Sequence, residues 1–158
     1  MVIRTSKPPK IRDYIKLSDV KAQNTSGGTF TQGSWRTRTL NTEDFDTGNR
    51  CTLAANQITL EAGVYECRIR AVGYGVNGYQ ARLYNITDAA EILLGTSEDS
   101  PATAKVNTQS DIVGRFIIPA GKVLEVQSIC ETTLNPDGFG SPANMASEVY
   151  TIAEFWKI

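Results

Sequence analysis

The chain has 158 residues, enough for one hydrophobic core, and its 16 basic and 17 acidic side chains leave a net charge of -1. That balance provides no field to draw in nucleic acid or an anionic membrane. There is no histidine, which removes the usual general base near neutral pH, the Ser-His and Cys-His nucleophile pairs, and His-ligated metal centres.

The β-branched residues are 17 Thr, 13 Ile and 10 Val against 9 Leu, and no window sustains the 3.6-residue apolar period of a helix. An all-β chain is predicted. The amino-terminal stretch, residues 1–13, carries Arg4, Lys7, Lys10 and Arg12 around Pro8-Pro9. It reads as an extended basic arm ahead of a domain spanning 14–158, since Pro-Pro favours polyproline geometry and too little apolar surface is present to fold alone. It lacks the apolar run of a signal peptide or a membrane span.

Nine strands are predicted, in chain order: Tyr14 to Ala22, Thr29 to Leu40, Gln57 to Leu60, Val64 to Ala71, Gln80 to Asn85, Glu91 to Gly95, Asp111 to Pro119, Lys122 to Glu131 and Glu148 to Ile158. Turn chemistry separates them: Gly27-Gly28, Thr47-Gly48-Asn49, Asn77-Gly78, Pro119-Ala120-Gly121 and Asn135-Pro136-Asp137-Gly138. The fourth strand alternates most cleanly, with Tyr65, Cys67, Ile69 and Ala71 on the inner side. Gly73 to Tyr79 lacks the Lys-Ser/Thr and following helix of a phosphate loop, and reads as a flexible or aromatic-bearing connection.

Two strands are apolar on both faces. In the last, Val149, Thr151, Ala153 and Phe155 face one way while Tyr150, Ile152 and Trp156 face the other. In the seventh, Ile112, Phe116 and Ile118 oppose Val113 and Ile117. A second apolar face calls for cover. Tyr150, Ile152, Trp156, Val113 and Ile117 are therefore the candidates for a subunit interface.

Sites for chemistry are sparse, and no catalytic residue, metal ligand or cofactor is assigned. Glu43, Asp44 and Asp46 before Gly48 lack calcium-loop spacing. Glu131, Asn135 and Asp137 could gather a cation, but Asn-Pro-Asp-Gly is explained by its turn. Cys51, Cys67 and Cys130 are too few and scattered for a zinc ribbon or a disulfide framework, and read as reduced, partly buried thiols.

Leu40-Asn41, Leu53, Asn56, Ile58-Thr59-Leu60, Ala62-Gly63-Val64-Tyr65 and Pro119 to Val126 resemble the C1q and tumour-necrosis-factor-like domain over about residues 28 to 158. Cys67, Lys122 and the ending Glu148 to Lys157 depart from the animal C1q pattern. The runs Gly28-Thr29-Phe30, Ser34 to Asn41, Arg82 to Asp88, Gly95-Thr96-Ser97 and Glu148 to Thr151 look more like small C1q-like virion proteins of tailed bacteriophages. The resemblance implies an antiparallel β-sandwich, a jelly roll of about ten strands with first and last strands adjacent, assembling as a homotrimer without catalytic apparatus. It further implies a virion location after assembly in the host cytoplasm, as a capsid decoration or cement protein. Arg4, Lys7, Pro8, Pro9, Lys10 and Arg12 would then dock on the major capsid protein or another virion protein. The alternative is a tail-fibre or receptor-binding tip whose loops, carrying Tyr74, Asn77, Tyr79, Asn135, Asp137 and Phe139, recognise host-surface glycan.

Overall fold

In the computed structural model, which describes residues 12–158, the chain forms eleven strands, and there is no helix among the described residues. The strands are β1 (Asp13–Lys21), β2 (Arg36–Thr37), β3 (Thr42–Asp46), β4 (Cys51–Ala54), β5 (Gln57–Leu60), β6 (Gly63–Tyr74), β7 (Asn77–Asn85), β8 (Ala90–Ser100), β9 (Asn107–Ile118), β10 (Lys122–Cys130) and β11 (Glu148–Lys157). They make two antiparallel sheets, β3-β1-β11-β6-β9 and β4-β5-β10-β7-β8, with β2 paired to β10. First and last strands are neighbours, so both chain ends of the domain belong to one sheet.

Alternation decides which side chains fill the space between the sheets. Tyr65, Cys67, Ile69 and Ala71 of β6 point inward, meeting Ile112 and Phe116 of β9, Phe155 of β11, and Leu83, Leu124 and Val126 from the opposite sheet. Phe116 stacks on Tyr65 at 5.7 Å and meets Phe155 edge-on at 6.3 Å. A second cluster closes one end of the sandwich with Phe30, Val76, Tyr79, Cys130 and Phe139. Where the sheets converge at β8 and β9, Gly95 leaves room that a Cβ would take from Ile112 at 2.9 Å and the Ala81 carbonyl at 3.0 Å.

Three segments differ from the sequence reading. Thr29 to Leu40, expected as one strand, is a strand only at Arg36–Thr37, with an isolated bridge from Phe30 to Leu134. Gly28 and Gly33 at positive φ bend the chain away from a continuous ladder. β3 and β4 carry no strand signal in the sequence because both are short outermost strands: in β3 the half-buried side is Thr42, Asp44 and Asp46, and in β4 only Cys51 and Leu53 supply apolar alternation. Gly73 to Tyr79 is not a flexible loop. Gly75 and Val76 alone separate β6 from β7 and carry the chain from one sheet to the other, and Gly73, Gly75 and Val76 are buried. Any Cβ on Gly73 would lie 2.6 Å from the Tyr79 ring.

Candidate functional site

The outward face of the five-stranded sheet carries the feature that the fold itself does not satisfy. Strand register arranges it in rows: Tyr14, Trp156, Glu66 and Arg115 in one, then Lys16, Glu154, Arg68 and Val113, then Ile152, Arg70 and Asp111. Ile117 lies beyond Arg115 on β9, and Phe45 of β3 sits beside Lys16. Ile117 is 72% exposed, Val113 68% and Phe45 57%. Trp156 and Ile152 are half-buried on the same face. Tyr14 packs at a tilt against Trp156 at 5.4 Å and Phe45 at 6.2 Å, and its hydroxyl donates to Glu154 Oε1 at 2.7 Å.

Charges on this face are unevenly satisfied. Arg12 reaches Glu66 at 2.6 Å and Lys16 reaches Asp44 at 3.6 Å. Arg68, Arg70 and Arg115 have no ion pair among the described residues, and Asp111 Oδ1, out of water opposite Arg70, has no hydrogen-bond partner. Exposed apolar side chains interleaved with unpaired guanidinium groups can receive a partner that is partly apolar and partly acidic.

Tyr150, expected on this free face, is not there. In β11 the pair Tyr150 and Thr151 stands opposite the single residue Asp19 of β1, a bulge that shifts the alternation by one position. Tyr150 is consequently 5% exposed, donates its hydroxyl to the Thr25 carbonyl at 2.6 Å and packs over Gly140, while Val149 turns out to solvent. Of the basic arm, Arg12 is placed on the sheet; Arg4, Lys7, Pro8, Pro9 and Lys10 lie outside the described residues.

The loop residues singled out for glycan stacking gather at one end of the sandwich, but their rings are used internally. Tyr79 is 4% exposed with its hydroxyl bonded to Thr108 Oγ1 at 2.9 Å. Phe139 is 7% exposed, packed on Phe30 at 4.6 Å. Burial in the second cluster removes both faces from a sugar, which corrects that part of the sequence reading. Asn77 is spent on Thr132 and the Ala102 amide, each at 2.9 Å, and Asp137 accepts from the Ser26 hydroxyl. Tyr74 is half-buried; Asn135 stays exposed, accepting from Thr29 Oγ1 at 2.5 Å. The two acidic runs are likewise accounted for: Asp46 caps the amides of Arg50 and Cys51, Asp44 takes the Ser18 hydroxyl, and Glu131 takes the Gly78 amide.

Two polar anchors had no sequence signal. Arg38 is buried and donates to Thr151 Oγ1 at 3.1 Å, the Val72 carbonyl at 2.8 Å and the Phe139 carbonyl at 3.1 Å, with its guanidinium 4.1 Å from the Phe139 ring centre. Burial lowers its pKa to about 10. Glu148 accepts from the amides of Asn24, Ala143 and Asn144, fastening two loops to the start of β11.

The thiols are held neutral. Burial pushes Cys51 and Cys67 up to about 12 and Cys130 to about 11, from an ordinary 9.0. Tyr14, Tyr65, Tyr79 and Tyr150 rise to about 12 from 10.0, burial again leading. Each pKa is higher folded than unfolded, so the stability these groups contribute is complete below their ordinary values and drains away as pH climbs through 11 to 12. Urea midpoints are expected to be level up to about pH 9 and then to fall steeply, with four of the six tyrosines ionising only as the fold is lost. Tyrosinate absorbance that rises fully while circular dichroism stays native would contradict this.

No protein-family model matches the chain, and no curated protein does. Solved structures do. The chain is similar to murine APRIL at pH 8.0, with TM-score 0.61 and 12% identity over 94% of this chain and 100% of that one. It is similar to Eiger TNF from S. frugiperda, with TM-score 0.60 and 12% identity over 93% and 94%. The globular domain of zebrafish complement 1qA protein matches with TM-score 0.58 and 12% identity over 94% and 98%. At these identities the likeness establishes the fold, a C1q/TNF-like jelly roll.

Proposed function

We propose that the protein is a non-enzymatic homotrimeric structural or binding module, with the outer face of the five-stranded sheet as the seam between copies. The observation that carries the reading is that face, where Val113, Ile117 and Phe45 are exposed beside Arg68, Arg70 and Arg115, which have no ion pair among the described residues. A second surface of the same molecule complements it: the end of β8 and the turn after it expose Asp99 and Val106. Contact between two different patches on identical chains is head-to-tail, and such contacts generate a closed ring when the rotation closes. Closure in threes is what the likeness to C1q and tumour-necrosis-factor domains supports. A non-catalytic role is favoured by the lack of histidine and by thiols kept protonated through burial.

We further place this module on a bacteriophage particle as a decoration or cement protein, a reading supported by the virion-like sequence runs and the basic arm. Whatever binds an assembled shell and not its separated parts stabilises the shell by mass action. The test has two arms. Sedimentation equilibrium is expected to give three times 17.2 kDa, and a monodisperse monomer at micromolar concentration overturns the trimer. The arm is read from the sequence as residues 1–13, but Asp13 opens β1, so removal of residues 1–12 is expected to leave β1 and the trimer intact while weakening co-sedimentation with particles that lack the protein, more so at low salt than at high. Equal attachment with and without the arm would remove it from docking.

A further inference from the structure

The outside of the six-stranded sheet holds an array that neither the core nor the trimer seam uses. Arg82 of β7 lies between two half-buried rings, its guanidinium carbon 4.1 Å from the centre of Trp35 and 4.2 Å from that of Tyr84. Nε and Nη2 both donate to Gln127 Oε1, at 2.9 and 2.8 Å, and Nη1 faces Glu91 at 3.6 Å. Gln127 donates on to Glu125, whose carboxylate also accepts from Thr37 and Gln57. Planar polar groups are thereby locked edge to edge across β5, β10, β7 and β8. Along the same face, two residues further on each strand, Gln80 and Ile129 line an open groove of about 300 Å³ bordered by Ser97 and Glu98.

We propose that this face binds a neutral glycan, with a pyranose ring against the Trp35–Arg82–Tyr84 stack and a neighbouring unit in the groove. Three features point to sugar rather than another ligand. The groove volume stands at the lower end of small-molecule clefts, roughly 300–1,000 Å³. The rings offer apolar surface for C–H faces, while Gln127, Gln80 and Glu125 supply paired donors and acceptors at fixed angles for vicinal hydroxyls. These side chains are already restrained by one another, so binding loses little rotamer freedom. The cations beside the site, Arg82 and Arg36, are outnumbered by Glu91, Glu98 and Glu125, which disfavours sulfated or phosphorylated chains. Of the six loop residues expected to recognise glycan, Tyr79 alone borders this groove.

The experiment is saturation-transfer NMR and titration calorimetry on the full-length protein. The probes are neutral di- and trisaccharides of galactose, glucose and N-acetylglucosamine, with a heparin tetrasaccharide as anionic control. At least one neutral probe is expected to bind, and Trp35→Ala and Gln127→Ala are each expected to weaken it by about tenfold or more with circular dichroism unchanged. Should Trp35→Ala disturb the fold, Gln80→Arg, which fills the groove from a half-exposed position, gives the same readout. Binding by heparin alone, by no neutral probe, or without sensitivity to these substitutions overturns the site. All the residues belong to one protomer, so a variant that dissociates the trimer is expected to retain sugar binding. Loss of both together would place the sugar between subunits and refute the assignment.

Discussion

Arg38→Met is expected to cost about 3–5 kcal/mol of folding free energy, the largest effect of any single polar side chain in this domain. Methionine fills much the same space but donates nothing. The Val72 carbonyl at the end of β6, the Phe139 carbonyl in the closing loop and Thr151 Oγ1 in the β11 bulge would each lose a donor inside the protein, at about 1–3 kcal/mol for every buried acceptor left alone. Arg38→Lys is expected to recover little, because one ammonium on a flexible stem cannot span three acceptors held by a planar fork. Urea unfolding of both variants provides the measurement, with the thermal midpoint falling on the order of 10 °C. A methionine variant within about 1 kcal/mol of the parent would show that the loops close without the guanidinium.

Val113→Glu combined with Ile117→Glu is expected to dissociate the trimer while leaving the monomer folded. Both side chains already point to solvent in the protomer, so the substitutions take nothing from the core. In a seam they would replace two apolar contacts, each contributing about 1.5–3 kcal/mol when fully buried, by carboxylates. The dissociation constant should rise by roughly a thousandfold or more, since about 4 kcal/mol corresponds to that factor. Arg68→Glu with Arg115→Glu would act on the same seam through charge, and pairing it with Asp99→Arg should restore assembly in part if the end of β8 is the opposing surface. Sedimentation velocity with unchanged circular dichroism is the readout. An intact trimer in the Val113 and Ile117 double variant would move the seam to another face. Trp156→Asp tests something else, because it removes the ring packed against Tyr14 and is expected to lower monomer stability as well.

The strand composition and the period of two were legible without coordinates, and they assigned the faces of β6 correctly from Tyr65 to Ala71. They also separated Ile112, Phe116 and Ile118 from Val113 and Ile117 along β9, since alternation is a local property of an extended chain. The same rule failed at Tyr150, where one extra residue in β11 opposite Asp19 exchanges inside for outside. A bulge is set by how two strands 130 residues apart in the chain are matched, and nothing near Tyr150 announces it.

The aromatic residues show where local reading ends. Tyr79 and Phe139 sit in segments rich in Gly, Asn and Asp and so resembled surface platforms, yet both close the end of the sandwich against Phe30. Trp35 and Tyr84, which the sequence offers only as parts of family-like runs, stay half-buried at the surface, each against the Arg82 guanidinium. What the amino-acid sequence alone determined is the choice of β structure, the identity of most inward positions and the presence of surplus apolar surface on β9 and β11. The destinations of Arg38, Tyr150 and Arg82 were decided by tertiary structure. Periodicity tells a side chain which face to take, while its partners come from strands far away in the chain, and burial or exposure follows from what those strands bring to meet it.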